Sequence, residues 1–118
     1  MLNEIERVIS YIAACLIHNK KFYHIYALEN NKYFDYSFSG YNVYDYSREC
    51  FCSISKLSPS KYNIFDYKIQ NFITLDLNGN NFSGYDYKSS SFYNGVINNN
   101  IITFFSYKTG KYTKYLVS

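Results

Sequence analysis

The residues that could do chemistry are few and unevenly placed. Only two histidines occur, His18 and His24, and neither has Ser, Cys or carboxylate spacing that suggests a triad or a metal site. The three cysteines are Cys15, Cys50 and Cys52. An odd count without framework spacing argues against a secreted disulfide scaffold. Without a second Cys pair or a His cluster, Cys50 and Cys52 are not expected to hold a metal. No glycine-rich phosphate loop is present. A carboxylate pair drawn from Asp45, Asp66 and Asp86 is the one arrangement open to acid–base chemistry, and nothing around it points to acid tuning. The chain is therefore expected to be non-catalytic, with no cofactor and no metal.

A second constellation is repeated instead of single. Asp66, Asp86 and Ser106 are each followed by Tyr and Lys: Tyr67 and Lys68, Tyr87 and Lys88, Tyr107 and Lys108. Each aspartate has a plain role, since a carboxylate just before a turn can accept turn amides. A lysine opening a turn is solvated by default. Taken together, an acid, a Tyr and a Lys at the same end of adjacent hairpins form a repeated edge, and a repeated edge suggests binding.

The elements that position this edge come from an internal repeat. Tyr44-Asp45-Tyr46, Phe65-Asp66-Tyr67, Tyr85-Asp86-Tyr87 and Phe105-Ser106-Tyr107 recur with steps of 21, 20 and 20 between their central residues. A degenerate first copy is Tyr26-Ala27-Leu28. Six residues after each central residue stands an aromatic: Tyr33, Phe51, Phe72, Phe92, Tyr112. Three before it stands a polar residue (His24, Asn42, Asn63, Ser83, Thr103), and eight after it another (Asp35, Ser53, Thr74, Asn94, Lys114). Each copy reads as strand, four-residue turn, strand. The turns are expected at Glu29–Lys32, Ser47–Cys50, Lys68–Asn71, Lys88–Ser91 and Lys108–Lys111. Ser39-Gly40, Ser58-Pro59-Ser60, Asn78-Gly79-Asn80 and Asn98-Asn99-Asn100 separate the copies.

The fold class that follows is mainly β: an N-terminal helix, then an antiparallel meander of about five tandem ~20-residue hairpins. The meander either closes into a barrel or forms a strongly curved sheet packed on the helix. One domain covers 1–118, with the helix in 1–20 and the repeats in 21–118. In the helix, Leu2, Ile5, Ile9, Ile12 and Leu16 share one side, widened by Val8 and Ala13. Asn3 is the expected N-cap, with Glu6 completing a capping box. This stripe packs on the sheet or, alternatively, forms a helix–helix dimer seam.

The pleat sorts the strands into two faces. The core face carries Phe82, Gly84, Tyr93, Gly95 and Ile97, with Asp86 at its turn end. In other copies it carries Ile25, Val43, Ile54, Ile64, Leu75, Leu77, Phe104 and Val117. The opposite face carries Tyr26, Tyr44, Phe65, Tyr85 and Phe105, then Tyr46, Tyr67, Tyr87 and Tyr107, then the five post-turn aromatics. These rings dominate a composition of sixteen Tyr, ten Phe and no Trp. Each post-turn ring is expected directly across the hairpin from the last residue of the first strand, as a cross-strand pair.

In period and hairpin form the array resembles bacterial cell-wall (choline-binding) repeats. Those rest on Trp and a regular Gly, whereas this chain has no Trp and five Gly. No function is carried across.

Charge is mild, at +3, too little to imply nucleic acid by itself. It is uneven, however: Lys88, Lys108, Lys111 and Lys114 follow Asp86 with no acid among them. The first twenty residues do not read as a signal peptide, and the apolar run Val8–Ile17 is too short to span a membrane. A cytoplasmic protein from a low-GC bacterium or phage is expected, the latter from the abundance of Asn, Lys, Ile, Tyr and Phe.

The expected function is non-catalytic binding through the tyrosine face: Tyr44, Tyr46, Tyr67, Tyr85, Tyr87 and Tyr107, with Asp45, Asp66, Asp86, Lys68, Lys88 and Lys108. The partner is another protein, as for an inhibitor, an immunity-type partner or a phage counter-defence factor, or a second copy of the chain. Alternatively the rings stack on bases while lysines hold phosphates, giving a nucleotide- or single-strand-binding protein.

Overall fold

A computed structural model describes all residues, 1–118. Helix α1 (Asn3–His18) is followed by ten strands: β1 (His24–Ala27), β2 (Lys32–Ser39), β3 (Asn42–Asp45), β4 (Cys50–Ser58), β5 (Lys61–Asp66), β6 (Asn71–Asn78), β7 (Asn81–Asp86), β8 (Ser91–Asn98), β9 (Ile101–Ser106) and β10 (Lys111–Val117). Each strand pairs antiparallel with its sequence neighbour. The first also pairs with the last, so the meander closes into a barrel. The seam aligns Ile25 with Val117, Tyr26 with Leu116 and Ala27 with Tyr115. Beyond it, the Tyr23 and His24 amides both donate to the Ser118 carbonyl at 2.9 Å. Closure leaves no free strand edge, which removes the pairing hazard of a ten-strand open sheet.

The helix lies inside this barrel. Its apolar stripe covers one side only, yet every residue from Ile5 to Cys15 is buried. It packs on β1, β9 and β10 on one wall and on β6 on another. Sixteen residues make a rod of about 24 Å, enough to run most of the way through the barrel. Its end is set by Asn19 in the left-handed region (φ 49°), with the Lys20 and Asn19 amides turned back to the Cys15 and Leu16 carbonyls. The helix start differs from expectation. Leu2 is the N-cap, and no side chain caps the helix, so Asn3 is its first residue. Glu6 is drawn into the lumen with Arg7 rather than bent back to a cap. With Ile5, Ile9 and Ile12 buried against strands, no seam is left for a second helix.

The five longer turns begin one residue earlier than their sequence suggested: 28–31, 46–49, 67–70, 87–90 and 107–110. In the second, third and fourth hairpins the aspartates account for this, while Ala27 and Ser106 end their strands at the same place without one. Asp66 Oδ1 accepts the amides of Lys68 (3.0 Å) and Ile69 (3.2 Å), which makes Asp66 the last strand residue and Tyr67 the first of the turn. Asp45 accepts from Ser47 and Arg48, and Asp86 from Lys88, in the same way. The fourth turn residue takes a positive φ every time: Asn31, Glu49, Gln70, Ser90 and Gly110.

The four shorter turns gather at the other end of the barrel, where α1 leaves it. His18 Nε2 meets the Asn99 carbonyl there at 2.7 Å. The core alternates as the pleat requires, with Ile25, Val43, Ile54, Ile64, Leu75, Phe82, Tyr93, Ile97, Phe104 and Val117 buried and Leu77 at its margin. Each such side chain contributes about 1.5–3 kcal/mol of burial. Tyr93 stacks on Phe104 and reaches through the β6–β7 ladder to donate to the Thr74 carbonyl at 2.6 Å. The ladder opens there between the Ile73–Asp86 and Asp76–Ser83 pairs, and Gly84 leaves the space.

Candidate functional site: an aromatic girdle

Outside the barrel, near the longer turns, the outward columns form a ring of aromatic clusters. Tyr44, Phe65, Tyr85 and Phe105 sit half-buried at the centre of one cluster each. The turn tyrosine packs on one side of each central ring: Tyr44–Tyr46 at 4.9 Å, Phe65–Tyr67 at 4.9 Å, Tyr85–Tyr87 at 5.0 Å and Phe105–Tyr107 at 5.2 Å between centroids. The post-turn ring packs on the other: Phe51 at 4.8 Å, Phe72 at 4.9 Å, Phe92 at 4.7 Å and Tyr112 at 4.6 Å. Most are edge-on contacts, the arrangement that ring quadrupoles favour. The first hairpin has only Tyr26 and Tyr33, because Leu28 replaces the turn tyrosine. The cross-strand partner of each post-turn ring is thus the central ring (Tyr44 with Phe51) and not the turn tyrosine. The one-residue turn shift causes this.

The turn and post-turn rings are 48% to 70% exposed, Phe72 the least and Tyr112 the most. A neighbouring hairpin polishes their placement. Ser53 donates to the Tyr67 hydroxyl at 3.2 Å, and Asn94 Nδ2 to the Tyr107 hydroxyl at 2.9 Å. One groove therefore recurs between successive hairpins. Asn42, Phe51, Ser53 and Tyr67 line the first, about 760 Å³. Asn63, Phe72 and Tyr87 line the second, about 280 Å³. Ser83, Phe92, Asn94 and Tyr107 line the third, about 260 Å³. Lys68 borders the first groove, while Lys88 and Lys108 hold the same exposed turn position in the next two hairpins.

The predicted Asp–Tyr–Lys edge is split by the barrel wall. The tyrosines and lysines lie outside. Asp45 and Asp66 are 0% exposed and Asp86 2%. Asp45 and Asp66 do converge, but on a buried cation. Arg48 Nε meets Asp45 Oδ2 at 2.7 Å, and Arg48 Nη2 meets Asp66 Oδ2 at 2.6 Å. Burial alone would raise the Asp66 pKa, yet the Arg48 hydrogen bond and charge hold it below the ordinary carboxylate value. The Arg48 guanidinium is thus clamped between two buried carboxylates, which ties the second turn to the end of β5.

The thiols are equally quiet. Burial pushes Cys15 up to about 11. Burial, then the Asp66 charge, drives Cys52 well above its usual value, and burial raises Cys50 too. A protonated thiol is a poor nucleophile. No three His, Cys, Asp or Glu side chains converge to hold a metal ion. No helix is long and apolar enough to cross a membrane.

Two features escaped the sequence reading. The hairpin register sets His24 opposite Asp35, with Nδ1 and Oδ1 2.7 Å apart. Their side chains are 49% and 61% exposed, an ordinary surface pair with no cleft around it. The signal was present, since both belong to matched polar columns of one hairpin. The other is Arg48, in a turn position that holds Ile69, Ser89 and Thr109 in later copies. A charge breaking a repeat column was the available clue.

The fold and surface together define a small closed barrel, plugged by its own helix, that displays rings on its exterior. No family model matches the chain, and no curated protein or solved structure matches it.

Proposed function

We propose that this chain is a non-catalytic binding protein that engages another protein, or a second copy of itself, through the aromatic girdle. The observation that carries the reading is the exposure of the turn and post-turn rings on a wall whose other face is fully packed. Large, stiff, amphipathic rings bring contact area at low side-chain entropy cost, and they are preferred anchors at interfaces. The aspartates support the turns from within and take no part in the contact. A rigid barrel of this kind suits an inhibitor, an immunity-type partner or a phage counter-defence factor, and three free thiols suit a reducing cytoplasm.

The test pairs wild type with a Tyr67→Ala, Tyr87→Ala double variant. Sedimentation should show a self-assembled species, or a co-purified protein should be retained, with the wild type and not with the variant. A strict monomer that releases a UV-absorbing small molecule on denaturation would sink this reading. That result would favour a second one, in which rings stack on bases and lysines hold phosphates. Its specific support is the recurrence of Lys68, Lys88 and Lys108 beside the turn tyrosines that wall the successive grooves.

A further inference from the structure

At the opposite mouth of the barrel, where α1 emerges, lies a hollow of about 360 Å³. This falls within the range of about 300–1,000 Å³ found for small-molecule sites. Lys20 and Lys21, from the segment after the helix, and Lys56, from β4, line it. Phe38, Tyr41 and Tyr62 give it aromatic walls, and Cys15 and Leu16 an apolar floor. We propose that this mouth binds a small phosphorylated molecule with a planar ring, of the size of a nucleoside monophosphate. The site is separate from the girdle and does not rest on the reading given for it.

Charge argues first. No carboxylate lines the hollow. None of its three ammonium groups is in an ion pair, since the chain's one lysine pair joins Lys61 to Asp76. Lys20 Nζ stands 5.1 Å from the Phe22 ring centroid and Lys21 Nζ 6.0 Å from that of Phe38. These cations are held by ring faces, which leaves their charge uncancelled. Cys15, protonated at neutral pH, adds no negative charge.

Shape argues second. Phe38 is half-buried and Tyr62 is buried, so both are fixed surfaces. Tyr41 is 62% exposed at the lip and follows Gly40, whose φ is +60°. A planar ring laid against them leaves its phosphate among the lysines. This is the pairing of stacking with cations by which nucleotides are held.

Lysines at a helix C-terminus have a plain explanation, because they complement the helix dipole. That accounts for Lys20 and Lys21. It does not account for Lys56, which comes from a strand and lines the same hollow. The negative end of α1 opposes an anion by about half a charge. Two of its terminal carbonyls already accept the Asn19 and Lys20 amides, and three cations outweigh the remainder.

The experiment is an NMR titration of the full chain with adenosine monophosphate, inorganic phosphate and adenosine in turn. The monophosphate should saturate, shift the amides of Cys15, Phe38 and Tyr62, and bind at least tenfold more tightly than either fragment. A Lys21→Gln, Lys56→Gln variant, changed only at exposed positions and melting as wild type does, should lose at least tenfold. The Tyr67→Ala, Tyr87→Ala variant should bind as wild type. Phosphate binding as well as the monophosphate would reduce the site to diffuse charge and overturn the proposal. Absence of saturable binding at millimolar ligand would overturn it too, as would loss of binding in the tyrosine variant alone.

Discussion

Arg48 Nη2 donates to Asp66 Oδ2 at 2.6 Å, which ties the turn of the second hairpin to the last strand residue of the third. The same guanidinium holds Asp45 through Nε, and Cys52 Sγ donates to Asp66 at 3.3 Å. Removing the cation would leave two buried carboxylates with their turn amides but without a counter-charge. Arg48→Ala should therefore cost about 3–5 kcal/mol, the range for breaking one side of a buried ion pair. Urea unfolding monitored by circular dichroism checks this. Adding Asp66→Asn to Arg48→Ala should recover part of the loss, and a purely additive double variant would count against the pairing.

Acid should expose the same pair. The folded pKa of Asp66 is depressed below its ordinary value of 3.8. Its contribution is complete above that value and is lost as pH falls through the lower folded pKa. That contribution should stay constant down to about pH 4 and then be lost, so the melting temperature of wild type should fall below about pH 4. In Arg48→Ala, burial acts on Asp66 with only the Ile69 amide and the Cys52 thiol against it, which raises its pKa relative to wild type, so the variant should lose less stability than wild type as pH falls below about 4.

Glu6 carries the opposite sign. Burial raises its pKa above the ordinary 4.5, against weaker lowering by Thr113 and other neighbours. Between 4.5 and the raised value the folded chain binds more protons than the unfolded one, so stability falls as pH rises through that window. Glu6→Gln should raise the melting temperature at pH 7 and change it little below pH 4. Equal effects at both pH values would show that the carboxylate charge is not what the lumen disfavours.

Gly84 should tolerate no side chain. A Cβ there would lie 1.9 Å from the Thr74 carbonyl oxygen and 2.5 Å from the Tyr93 hydroxyl. Backbone cannot yield as a flexible side chain can, so Gly84→Ala should cost at least about 1–3 kcal/mol, the usual toll of overpacking. Gly79→Ala meets nothing within 4 Å and bears only the strain of φ +62°, about 1–2 kcal/mol. Thermal melts of the two variants should rank Gly84→Ala as the worse.

Within the girdle, position should separate stability from binding. Tyr67→Ala removes one exposed ring and one edge-on contact, about 0.5–1.5 kcal/mol. Phe65→Ala removes the half-buried centre and both of its ring contacts, at 4.9 Å each, so it should cost more. Partner binding should nevertheless suffer from Tyr67→Ala at nearly unchanged melting temperature. Unfolding by Tyr67→Ala would mean that the ring belongs to the core.

The sequence by itself determined much of what depends on near neighbours. The 20-residue period, the hairpins, the inward Ile25, Val43, Ile64 and Phe104, and the outward rings all follow from spacing and the two-residue pleat. So did the amide-capping role of Asp45, Asp66 and Asp86, although the turns begin one residue before the expected place. Tertiary structure decided what joins distant parts of the chain. Pairing Ile25 with Val117 closes the barrel, and no local pattern near either residue encodes that contact. Closure is also what buries the polar side of α1, so Glu6 and Arg7, charged in sequence and apt for solvent, end inside. Arg48 reaches Asp66 only because adjacent hairpins curl around the same lumen. The repeated Asp-Tyr-Lys edge was legible as a string, but its division into buried acids and exposed rings follows from the wall that runs between them.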